Sequence, residues 1–115
     1  MHELAIAEGL VEIVCDHAAG RRVTRVDVKL GHLRQVVPSA LELGFQLVAD
    51  GTVVEGAALE IEEIPVEAVC QACAAHARQV DFPFACPGCG SFELEIVKGE
   101  ELLVDCLEVT DEVAA

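Results

Sequence analysis

Apolar residues recur along the first part of the chain at two different spacings. Leu4, Ala7, Leu10, Val11, Val14 and Ala18 share one stripe at helical spacing, and Glu8, Glu12 and Asp16 recur on the opposite face. This pattern predicts an amphipathic helix over residues 3–18, with a solvated carboxylate face and Gly20 as its stop. Residues 23–30 then alternate: Val26, Val28 and Leu30 point one way, Arg25, Asp27 and Lys29 the other. Such alternation predicts a half-buried strand. Gly31 opens a short loop, and Pro38 suits the first turn of a second helix that carries Leu41, Phe45 and Val48 inward and ends at Asp50-Gly51. A second strand is expected over residues 58–64, where Leu59 and Ile61 alternate with Glu60 and Glu62. Glu60, Glu62 and Glu63 read as the outer face of an edge strand. Residues 101–109 are partly apolar on both sides, as a central strand would be. Strands one and two, joined by a helix, are expected to be parallel with a right-handed crossover.

Between the last two strands the pattern breaks. Residues 66–99 hold four of the six cysteines and two of the four prolines. The expected architecture is therefore α+β: two helices on a three-stranded mixed sheet, formed by residues 1–65 and 100–115, with a metal-stapled insert at 66–99.

Composition narrows the possible partners. Of 115 residues, 53% are apolar, which suffices for a core. With no Trp or Tyr and four Phe, that core must rest on Val, Leu, Ile and Ala. Seven Lys and Arg against 21 Asp and Glu give a formal charge of −14. Phosphate binding rests on cationic side chains, so neither a nucleic acid nor an anionic membrane is an expected partner. No apolar run approaches the ~18 residues of a membrane span, and no signal-peptide pattern opens the chain. A cytoplasmic location is expected, where thiols stay reduced and cysteines read as metal ligands or core thiols rather than disulfides.

Cys70-x2-Cys73 and Cys86-x2-Cys89 are separated by twelve residues. Two such pairs suit a closed tetrahedral tetrathiolate site, zinc in preference to iron, with no open position for a substrate. Gly88 and Gly90 permit the turns such a site needs. So small a segment could hardly fold without a staple. At the start, Met1-His2-Glu3 offers an α-amine, an amide nitrogen and an imidazole that can chelate one ion in a plane, a set favouring Ni(II) or Cu(II). Glu3 can add an oxygen or orient the site. Cys15 and Cys106 read as small apolar residues and His17 and His32 as exposed or hydrogen-bonded; His76 lies inside the metal loop, and the sequence leaves open whether it tunes the four-cysteine site from outside the ligand set. No nucleophile–base pair or phosphate-binding glycine loop is present, so an enzyme is not expected.

Several segments resemble the HypA/HybF family of hydrogenase nickel-incorporation proteins. They are Met1-His2-Glu3-Leu4, Gly31-His32-Leu33 through Val37-Pro38-Ser39-Ala40-Leu41, Glu55-Gly56-Ala57 to Glu60-Ile61, and the cysteine pairs followed by Gly90-Ser91-Phe92-Glu93-Leu94 and Gly99-Glu100-Glu101-Leu102. The resemblance implies a nickel-binding α/β domain with an inserted zinc-ribbon domain. It implies a metallochaperone that delivers Ni(II) to the large subunit of nickel-iron hydrogenase with a GTPase partner, some members also serving urease. By position, Met1, His2 and Glu3 would be nickel ligands and Cys70, Cys73, Cys86 and Cys89 zinc ligands. Two positions depart from some members: Pro38 stands where a carboxylate can open the second helix, and Gly90 where a His can follow the cysteines. A rubredoxin-like iron electron carrier and a zinc-ribbon adaptor are the alternatives.

Overall fold

The computed structural model describes residues 2–113, and side chains through residue 110. In chain order the elements are α1 (His2–Ala18), β1 (Arg21–Gly31), a 3-10 turn (His32–Arg34), α2 (Pro38–Ala49), β2 (Ala58–Ile64), β3 (Glu67–Cys70), β4 (His76–Ala77), β5 (Leu94–Lys98) and β6 (Leu102–Val113). They form two three-stranded sheets, ordered β2-β1-β6 and β4-β3-β5. The chain divides into two compact units: Met1–Lys29 with Val36–Glu62 and Leu103–Ala115, and Leu30–Gln35 with Glu63–Leu102.

In the first unit, α1 buries Ala7, Leu10, Val11, Val14 and Ala18, and α2 buries Leu41, Gly44, Phe45 and Ala49. Gly44 sets how closely the helices approach: a Cβ there would lie 3.5 Å from the Ala7 Cβ and 3.6 Å from the Leu4 Cα. Pro38 occupies the start of α2, where its missing N–H has no intrahelical bond to make. Strand directions follow from side-chain pairings. The Val23 N–H donates to the Val53 carbonyl, and Asp27–Lys29 share a groove with Glu60–Glu62, so β1 and β2 run parallel. Thr24 and Arg25 meet Glu108 while Lys29 meets Asp105, so β6 runs antiparallel to β1. The sheet is mixed.

Three expectations are corrected here. The last strand, β6, is an edge; β1 is central, hydrogen-bonded on both sides. Apolar residues on both faces of β6 reflect partial exposure, Leu103 being 43% exposed, rather than cover on both faces. Cys106 on that strand is exposed, not a buried apolar residue. Leu4, placed by periodicity in the inward stripe, is 47% exposed, because α2 meets α1 there through the bare backbone of Gly44.

The second unit has its own small core of Val66, Ala68, Ala77 and Val80, covered by Leu33, Phe84, Leu94 and Ile96. β3 pairs antiparallel with both β4 and β5. Glu67 ties the sheet together across its open face, with its carboxylate 3.2 Å from His76, 3.6 Å from Lys98 and 3.9 Å from Arg78. Leu30–Gln35 joins this unit through backbone bonds: the Gly31 N–H donates to Glu101 O at 2.7 Å and the Leu33 N–H to Gly99 O at 2.8 Å. The two chains can run this close because both crossing residues are glycines. A Cβ on Gly31 would fall 2.0 Å from the Gly99 carbonyl oxygen, and one on Gly99 (φ +115°) would fall 2.8 Å from the Val66 Cα.

Gly31→Ala should therefore force the crossing apart and destabilise the second unit by about 2 kcal/mol or more, the range of overpacking against an unyielding backbone. Amide exchange in β3–β5 should accelerate while α1 keeps its protection; unchanged protection of β3–β5 would show that the crossing tolerates a side chain.

Candidate metal centres

Each cysteine pair sits in a tight turn, and the two turns are built alike. In the first, the Ala74 N–H donates to the Cys70 carbonyl and the Cys70 N–H to the Ala75 carbonyl, both at 2.9 Å. In the second, the Gly90 N–H donates to the Cys86 carbonyl and the Cys86 N–H to the Ser91 carbonyl, both at 2.8 Å. The residue after each second cysteine takes a left-handed conformation, Ala74 at φ 62° and Gly90 at φ 78°. Glycine adopts this readily. Each turn leaves its first cysteine buried and its second exposed.

The four ligand sulfurs lie within 4.8 Å of one another. Cys70 and Cys89 sulfurs are 3.6 Å apart, and those of Cys73 and Cys86 are 3.7 Å apart. A metal about 2.3 Å from four tetrahedral sulfurs requires edges of about 3.8 Å. The spacing therefore suits a tetrathiolate centre and is far too long for disulfides. Backbone N–H groups converge on the sulfurs. Those of Cys73 and Ala72 lower the Cys70 thiol, and those of Cys89 and Gly88 hold Cys86 down to about 6. On the other two sulfurs the balance reverses. The Ser91 N–H lowers Cys89, but the neighbouring Cys70 and Cys73 sulfurs push it up to about 12; Ala75 lowers Cys73, while Cys70 and Cys86 raise it. So many sulfurs in one place cannot all ionise unless a cation joins them. His76 directs its Nε2 to Glu67.

At the other candidate centre, His2 opens α1 and its side chain is 56% exposed. Glu3 is nearly covered, with its carboxylate 3.8 Å from the His2 Nε2. The Val37 N–H, at the threshold of α2, donates to that carboxylate at 3.1 Å. The Val37 N–H, Glu3's own N–H and the His2 charge hold the Glu3 carboxyl down to about 2. It is thus an anion at any pH where an imidazole can bind a metal. A helix leaves its first four N–H groups without intrahelical partners. The amide of its first residue, His2, can accordingly bind a metal without breaking the helical ladder. Met1 lies outside the described residues. The Val37 N–H has no side-chain signature and was not foreseen, although Pro38 marks where α2 begins. The His17 Nδ1–H donates to the Ile13 carbonyl at 2.9 Å, and His32 pairs with Glu63 at 3.4 Å.

A family model described as "Hydrogenase/urease nickel incorporation, metallochaperone, hypA" matches residues 1–109. A hydrogenase maturation factor HypA of Geobacter sp. is 43% identical over 114 residues, covering 95% of this chain and 99% of that protein. One from Nostoc sp. is 40% identical over 111 residues, covering 96% and 97%. The solution structure of the Ni metallochaperone HypA from Helicobacter pylori has the same fold, with a TM-score of 0.68 at 23% identity over 96% of this chain and 98% of that one. A second solution structure of a HypA protein aligns with a TM-score of 0.69 at 25% identity, covering 97% and 98%.

Cys73 and Cys89 stand above the ordinary thiol value, so both carry protons at pH 7 in the metal-free chain. Metal binding must displace them, and affinity should rise with pH and fall on acidification. Calorimetric zinc titration in buffers of different ionisation heat should count at least two protons released at pH 7; release of fewer would show that the thiols are already ionised.

Proposed function

The chain belongs to the hydrogenase/urease nickel-incorporation family of HypA metallochaperones, and from that membership we propose that it carries Ni(II) at its own N-terminus for insertion into nickel-iron hydrogenase. Urease is a second client class. The observation that carries this reading is the opening of α1: His2 is exposed, Glu3 beside it is ionised, and the family match begins at residue 1. In this reading the Met1 amine, the His2 amide and the His2 imidazole supply nitrogen donors, a set that favours a square-planar Ni(II) ion. The bond to Val37 makes Glu3 first of all an anchor that holds the start of α1 against the start of α2.

The same reading gives the two parts separate tasks. Residues 1–65 and 100–115 bind nickel, and residues 66–99 form a zinc ribbon around Cys70, Cys73, Cys86 and Cys89. The ribbon's zinc is structural: four thiolates fill its shell. A small unit with few large apolar residues draws its folding free energy from such an ion. Among the described residues no helix is long and apolar enough to cross a membrane, in keeping with work in the cytoplasm beside a GTPase partner and the hydrogenase large subunit. An iron electron carrier remains the competing use of the four sulfurs, and colour separates the two, since zinc tetrathiolate absorbs no visible light.

His2→Ala should abolish tight nickel binding while zinc content and melting temperature stay as in the wild type, because an exposed terminal side chain supports no core. One residue added before Met1 should weaken nickel binding sharply although every side chain remains, by turning the terminal amine into an amide. Nickel titration of the two proteins checks both; wild-type affinity in either would place the site elsewhere or remove the amine from it.

Glu3 separates anchoring from ligation. Glu3→Gln keeps an acceptor for the Val37 N–H and should keep most of the nickel affinity. Glu3→Ala removes the acceptor and should loosen the first turn of α1, as the loss of a helix-terminal hydrogen bond does. Amide exchange at Val37 and nickel titration read the two effects; equal loss in both variants would make the charge, and not the anchor, the contribution of Glu3.

A further inference from the structure

The last strand of the chain leaves one edge of its sheet uncovered. In the order β2-β1-β6, β1 lies on one side of β6, and among the described residues no strand lies on the other. β6 is 12 residues long, about twice the mean strand. Open edges are normally kept short or interrupted by Pro or Lys, because their unpaired N–H and C=O groups invite another strand. The sequence of β6 has no Pro, Lys or Arg and carries four carboxylates instead. Between this strand and α1 lies a groove of about 170 Å³, walled by Ile13, Val14 and His17 on one side and by residues 104–107 on the other. Ile13 is 47% exposed, so the apolar wall of the groove is open to a visitor. Asp105 lines a second groove with Asp27 and Lys29, which alternate with the buried Val26 and Val28. This stretch of edge is thus reached from either face of the sheet.

We propose that the outer edge of β6 docks an extended segment of another protein, one that carries Lys and Arg on one face and an apolar side chain for the groove on the other. The segment adds as a fourth strand: main-chain hydrogen bonds hold it, and alternate side chains select it. The inner edge shows the chemistry that β6 accepts. There β1 sets Lys29 3.9 Å from Asp105 and Arg25 3.5 Å from Glu108. Both carboxylates stay more than half exposed, and cross-strand pairs of opposite charge stabilise a ladder. Charge also rejects the nearest competitor. A second copy pairing through β6 would set one carboxylate-bearing strand against another with no cation in either, and like charges placed opposite are destabilising. A formal charge of −14 steers a basic segment toward the chain. His17 lies about 22 Å along α1 from His2, at 1.5 Å per residue. The edge site is therefore separate from the N-terminal centre, and the proposal stands whether or not that centre carries nickel.

The test titrates the full chain, zinc-loaded, with a labelled, end-capped peptide that copies β1 from Thr24 to Leu30. A second peptide has Glu in place of its Arg and Lys. The basic peptide should bind and slow amide exchange across residues 103–109, and the acidic one should bind at least tenfold more weakly. Ile13→Gln strips the apolar wall of the groove but keeps a good helix former at an exposed position. It should weaken the basic peptide tenfold or more. Asp105→Asn should weaken it several-fold and flatten its salt dependence. Both variants should keep the wild-type melting temperature and zinc content. Failure of the basic peptide to bind, binding that leaves exchange in β6 unchanged, or wild-type affinity in either variant would overturn the proposal. So would equal binding of the acidic peptide, or a wild-type dimer that Ile13→Gln dissociates in light scattering, which would make a second copy the occupant.

Discussion

Four cysteine sulfurs gathered within 4.8 Å are the constraint around which the second unit is organised. Each is a potential anion, and anions that close repel far more strongly in the shelter of a folded turn than in open water. The turns concentrate backbone N–H groups on them, which favours thiolates, yet two sulfurs still hold their protons above the ordinary thiol range. A dication would resolve the conflict, and its binding would become folding free energy for a unit whose own buried core is Val66, Ala68, Ala77 and Val80. The near-identical hydrogen bonds of the two turns follow from the same demand, since each must present two sulfurs to one point.

In the proposed reading the N-terminal centre would invert this design. It would use nitrogen and oxygen donors at the exposed His2, beside a Glu3 carboxylate that one backbone hydrogen bond from Val37 holds, rather than a closed cage. A full tetrathiolate shell leaves no position for exchange, which suits a permanent ion. An exposed planar chelate at a chain end can be approached by another protein, which suits a cargo. In that reading donor chemistry alone would separate an ion that stays from one that is handed on.

Much of this was legible in the residues. The 3.6-residue periodicity of Ala7 to Ala18 and the alternation of Val26, Val28 and Leu30 record burial directly, and the structure buries those residues. The cysteine spacing forecast a single cluster because two short turns can face one another only in a few ways. What escaped the sequence were features decided by tertiary neighbours. The apolar residues of β6 suggested a central strand, but pattern cannot tell which flank of β1 a returning strand will take. Leu4 has the periodicity of a core residue and is left half outside because its helix meets a glycine. Leu30–Gln35 belongs with the second unit through a glycine–glycine crossing, 31 against 99, whose partners stand far apart in the chain. The Val37 N–H is invisible to any reading of side chains.

The central claim is that ligand chemistry sorts two metals within one chain, sulfur for the ion that stays and nitrogen and oxygen for the ion that travels. X-ray absorption at the zinc and nickel edges of protein loaded with one equivalent of each examines it directly. Zinc is expected to have four sulfur neighbours at about 2.3 Å, and nickel only nitrogen and oxygen neighbours in a planar array. Sulfur in the nickel shell, or nitrogen and oxygen replacing sulfur around zinc, would contradict it.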